Sequence, residues 1–147
     1  MSLKTIINGI DVDRQRAAHP AGVVPDRSDT IAATEWLGGT QTRTMVTIAD
    51  GSGLPQEFAV DADYPQALLG SGRAPSPRDL FIASVSSSFV TSFVLAAAAA
   101  NVRIESMRVR AAVRVPFDAS GARAEEGLPA ALELRAAVDA DTSRAHL

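Results

Sequence analysis

Cysteine is absent from all 147 residues, which removes disulfides, thiolate metal ligands and every reaction that passes through a protein thiol. Histidine is almost absent as well. His19 lies in a polar N-terminal stretch and His146 one residue from the last position, so an imidazole triad or zinc site has little material and both are read as solvated. Aromatic residues are few, with 1 Trp, 1 Tyr and 5 Phe, and 27 of the residues behind the 46% hydrophobic content are alanine. A core built from such small side chains offsets chain entropy by a modest margin. There is no surplus of positive charge either: 14 Lys+Arg stand against 17 Asp+Glu for a net charge of -3. Phosphate binding needs a clustered positive field, so nucleic acid is not an expected partner. The opening Met1 to Gly9 lacks the apolar run and cleavage site of a secretory signal, which makes the cytoplasm the expected location. No cofactor or metal is expected.

Residues 1–28 are charged, contain proline and show weak periodicity, and are read as an irregular or short helical lead-in. Strand-like pattern starts at Thr30–Trp36 and resumes at Thr40–Ile48 across Leu37-Gly38-Gly39, which predicts a hairpin. Glu57–Val60 can add a third strand before a loop from Asp61 to Ser76. Residues 80–102 then carry no charge. About 20 apolar residues would cross a bilayer at ~1.5 Å per residue. Six hydroxyl side chains between Ser84 and Ser92, and five alanines from Ala96, make a buried central helix packed on a sheet the favoured reading over a membrane span. Ser76 fits the N-cap, Pro77 the first turn and Asp79 the third helical position, with Asn101 as the stop signal. Beyond the helix, Met107, Val109, Ala111, Val113 and Val115 alternate with Arg108, Arg110 and Arg114, and Leu132 to Val138 supplies an antiparallel partner carrying Glu133 and Arg135. The three arginines are expected on a wet face balanced by acids. Three strands, a long helix and two more strands give an α+β class.

The segments Trp36-Leu37-Gly38-Gly39-Thr40, Asp61-Ala62-Asp63-Tyr64-Pro65 through Gly70, and Pro75-Ser76-Pro77-Arg78-Asp79-Leu80 through Val85 together resemble the OsmC/Ohr family, the osmotically inducible and organic hydroperoxide resistance proteins. The resemblance implies antiparallel sheets with a long central helix and an intertwined homodimer. It further implies two interface sites that reduce organic hydroperoxides through a reactive cysteine on that helix, as part of the oxidative stress response. Order and spacing match from about Ile7 onward, so the resemblance covers most of the chain, and it implies an OsmC-like domain over residues 29–147, shortened at the C-terminus. Eleven positions after Pro77, where similar proteins carry the cysteine, this chain has Ser88; the carboxylate falls on Asp79, and Arg43 resembles the activating arginine.

Serine cannot take the place of that cysteine. Its hydroxyl forms no comparable anion at neutral pH, oxygen has no sulfenic state, and no resolving thiol exists. Thiol peroxidase activity is therefore not expected. Three readings remain open. In the first, the dimer cleft binds a small apolar ligand, with Ser88 and Asp79 lining it. In the second, Ser88 serves a hydrolase or transferase, although no Gly-x-Ser-x-Gly elbow surrounds it. In the third, the dimer is structural or acts through protein contacts, Ser88 is a helix-packing hydroxyl, Asp79 a cap and Trp36 a core or interface residue. No membrane partner is expected.

Overall fold

The computed structural model describes residues 5–18, 29–49, 54–114 and 131–141. His19, His146, Val115 and the Pro116–Pro129 connection fall outside them. Among the described residues there are three antiparallel sheets, one long helix and one short one, and the order along the chain is α+β in class. The chain divides into two compact units: residues 24–81 form one, and residues 1–23 with 82–147 form the other.

The first unit is a meander of three long strands, Asp29–Gly38, Gln41–Ala49 and Gln56–Ala62, paired in that order. Alternation sets its faces. Cross-strand register puts Ala32, Val46 and Phe58 on one face and Ala33, Met45 and Ala59 on the other. The predicted hairpin is present, closed by Gly38 opposite Gln41 with a bulge at Leu37. Gly38 and Gly39 hold φ of 118° and 57°, angles at which a Cβ would be strained. Trp36 folds its indole over the turn to donate to the Gly39 carbonyl at 2.9 Å. The expected loop follows, with a single 3-10 turn at Gln66–Leu68 inside it.

The long helix, Pro77–Ala99, has its first five residues in this unit and the rest in the second. Both predicted ends are realised. Ser76 and Asp79 form a reciprocal capping box: the Asp79 carboxylate accepts from the Ser76 amide at 3.0 Å, and the Asp79 amide donates to the Ser76 hydroxyl at 3.3 Å. At the other end Asn101 adopts φ 58°, its amide donates to Ala98 and that of Val102 to Ala97, a Schellman closure. The expectation of a buried helix is not met within one chain. Of its 23 residues only Ala98 is buried, and Phe81, Phe89 and Phe93 are 53%, 38% and 38% exposed. Apolar and hydroxyl side chains surround its axis and leave no charged face, so full cover needs neighbours on every side, more than the described residues of one chain supply.

The second unit also contains a hairpin that hydrophobic periodicity does not predict. Within the lead-in, Ile6–Ile7 and Ile10–Asp11 form a two-residue-loop hairpin through Asn8-Gly9, with φ of 53° and 77°. Positive φ at both loop residues is what the strand twist demands of so short a connection. A seven-residue helix follows at Val12–Ala18, within the lead-in read as irregular or short helical. The last two strands, Arg103–Arg114 and Ala131–Asp141, pair antiparallel as predicted. Their apolar face collects Met107, Val109, Ala111, Leu134 and Val138. The wet face is less balanced than expected. Arg110 lies directly opposite Arg135, while Glu133 pairs with Arg135 along its own strand.

Candidate functional site

Ser88 sits midway along the long helix and is exposed. Ser84, Ser88 and Ser92 recur every four residues, as do Phe81, Val85, Phe89 and Phe93, so a hydroxyl row runs beside an aromatic-rich row on adjoining sides of the helix. Phe89 and Phe93 stack with ring centroids 6.2 Å apart. The surface around Ser88 is therefore apolar with regularly spaced hydroxyls, and it carries no charge between Asp79 and Arg103.

Asp79 is committed to the helix start. Its carboxylate also accepts the Ser76 hydroxyl at 2.6 Å, and this bond, with that from the Ser76 amide, holds its pKa below the ordinary value. A carboxylate so held is a poor proton acceptor near neutrality. Arg43 is likewise engaged. Its guanidinium grips Asp61 on the neighbouring strand with Nε to Oδ1 at 2.7 Å and a second nitrogen to Oδ2 at 2.8 Å. Register makes this possible, because Glu35, Arg43 and Asp61 occupy one row across the three strands. The hydrogen bond to Asp61 raises the arginine pKa, and the reciprocal bond lowers that of Asp61. Both side chains are about half exposed, so the pair fixes geometry more than it adds stability.

Asp63 is not among the candidate residues that the sequence offers, yet the loop after the third long strand is built around it. Asp63 is 1% exposed, and its carboxylate collects five donors. The hydroxyls of Ser71 and Thr40 reach it at 2.6 Å each, and the amides of Tyr64, Ser71 and Arg73 at 2.8, 3.0 and 3.2 Å. These bonds, that of the Ser71 hydroxyl foremost and Thr40 next, push its pKa well below the carboxylate range despite burial. The signal in the sequence was an acid at a strand end followed by a loop rich in Gly and Ser, whose free amides need an acceptor. An open concavity of about 340 Å³ lies over this loop, lined in part by Thr40, Asp63, Leu69 and Ser71. Its buried carboxylate is fully occupied by the protein's own donors.

A serine nucleophile needs a base within hydrogen-bond reach. Asp79 is turned to the cap, and both histidines lie outside the described residues. Among the described residues no group of three or more His, Asp or Glu side chains is placed to hold a metal ion. The long helix is long and apolar enough to cross a membrane, by length and composition, and its most apolar stretch is not buried. No known family model matches the chain, and no curated protein matches it significantly.

Proposed function

We propose that this chain is a cysteine-less OsmC-like binding scaffold: a homodimer that takes a small apolar molecule in a cleft walled by the long helix, with Ser88 as its polar contact, and without peroxidase chemistry. The observation that carries this reading is the uncovered helix. Phe81, Phe89 and Phe93 stay between 38% and 53% exposed in the single chain, next to the exposed hydroxyls of Ser88 and Ser92. Burying a fully exposed aromatic side chain contributes roughly 1.5–3 kcal/mol, and these rings still have about half of that to gain, so a second copy and an apolar guest are both favoured by closing over this surface. The order of three strands, capped helix and two strands supports the family expectation. The loss of sulfur at position 88 leaves shape without redox chemistry.

The test combines assembly and occupancy. Light scattering on the purified chain is expected to give twice the chain mass, and Phe93→Asp to shift it to the monomer. The apolar dye ANS is expected to bind the dimer saturably, to be displaced by a medium-chain alcohol, and to bind Ser88→Leu with altered affinity. A monomeric wild type, or one that floats with neutral lipid vesicles, overturns the scaffold reading in favour of a solitary or membrane-inserted helix. Consumption of an alkyl hydroperoxide by the wild-type chain overturns the loss of chemistry.

A further inference from the structure

The Asn8-Gly9 turn is the part of the N-terminal segment that reaches across to the strand Arg103–Arg114. Asn8 Nδ2 donates to the Val102 carbonyl at 3.0 Å, and its Oδ1 accepts from the Ile104 amide at 2.9 Å. One side-chain amide thus serves as the neighbouring strand for two backbone groups more than ninety residues away. The helix Val12–Ala18 adds weaker ties. Gln15 Nε2 donates to the Leu95 carbonyl at 3.3 Å, and Arg16 to the Ala99 carbonyl at 3.2 Å and to Asn101 Oδ1 at 3.4 Å.

The same dipeptide is chemically labile. An asparagine followed by glycine cyclises when the glycine nitrogen attacks the asparagine Cγ. A new C–N bond forms a succinimide, the bond from Cγ to the side-chain nitrogen breaks, and ammonia leaves. Water then adds to either ring carbonyl and opens it to aspartate or isoaspartate. Attack is easiest where the following residue has no side chain and its nitrogen is unhindered. Gly9 is exposed, an added Cβ there would meet nothing within 4 Å, and its nitrogen lies in the loop between the paired Ile7 and Ile10. What opposes the reaction is the docking itself, since Cγ cannot swing toward the Gly9 nitrogen while both amide atoms are held by Val102 and Ile104.

We propose that Asn8 is a spontaneous deamidation site gated by the docking of the N-terminal hairpin on the start of the Arg103–Arg114 strand, and that its conversion releases that hairpin irreversibly. The product has no donor for the Val102 carbonyl and sets a charged oxygen against it, so closure after conversion leaves two acceptors facing each other. Each opening event exposes the turn to attack, and each conversion makes opening more frequent.

The chain supplies its own control. Asn101 is its only other asparagine and is followed by Val102, whose branched side chain hinders the same attack. The full-length protein is incubated at mildly alkaline pH and mapped by mass spectrometry for the amide-to-acid change and for isoaspartate. Asn8 is expected to convert at least about tenfold more slowly in the folded chain than in the same chain held in denaturant, in line with local opening as the gate. Arg16→Ala is expected to narrow that gap severalfold, with Asn101 unconverted throughout. Asn8→Asp, with its far-ultraviolet spectrum retained, is expected to speed amide hydrogen exchange at Ile104. Equal rates in folded and denatured chains overturn the gate, no conversion in denaturant overturns the site, and unchanged exchange at Ile104 in Asn8→Asp overturns the release.

Discussion

Five donors converge on the Asp63 carboxylate, and three of them are backbone amides that have no sheet partner. Removing its charge leaves those amides facing a weaker acceptor in a buried position, so Asp63→Asn is expected to lower the melting temperature by about 5 °C or more. Proteolysis between Tyr64 and Pro75 should accelerate in parallel. The sign of the pH effect follows from the depressed pKa. The unfolded chain binds the proton first as pH falls through the ordinary carboxylate value of about 3.9. Stabilisation from Asp63 is therefore complete at neutral pH, declines below that value and is gone once the folded carboxyl itself protonates. Acid unfolding of the wild type and of Asp63→Asn should accordingly converge at the lowest pH. Gly70 belongs to the same loop, and a Cβ there would sit 1.7 Å from the Tyr64 carbonyl oxygen. Gly70→Ala must displace backbone, and a loss of more than about 2 kcal/mol in denaturant unfolding is expected.

At the scale of elements, the long helix was legible at both ends because its signals are local. Ser76, Pro77 and Asp79 act through backbone groups within one turn, and Asn101 supplies the left-handed residue at the stop. Ser76→Ala should destabilise by about 1 kcal/mol, measurable as a lower denaturation midpoint with unchanged slope. The hairpins of the long strands were legible for the same reason, from alternation broken by Gly38-Gly39 and by the polar connection after Arg114. The Asn8-Gly9 hairpin was not. Its strands are two residues each, too short to show periodicity, and its stability comes from partners beyond position 100 that no local window contains. The candidate site divides similarly. The positions of Ser88, Asp79 and Arg43 on helix, cap and strand could be read from the sequence, but the partnership of Arg43 with Asp61 depends on register between strands, and the burial of Asp63 on a loop closing over it.

For the whole molecule, α+β order was readable from the sequence, and concealment of the helix was the expectation that failed for an isolated chain. Charge-free sequence signals a segment that avoids water, yet it does not say whether the cover comes from the same chain or another. The sole tryptophan gives that question an optical answer. Trp36 is 70% exposed and held over its turn by the bond to Gly39. Its emission in a lone chain should peak at the long wavelengths of hydrated indole and be readily quenched by iodide. If the edge strand that carries it lies against a second copy, dilution will move the spectrum to the red, and the midpoint of that change will give the association constant without any added label.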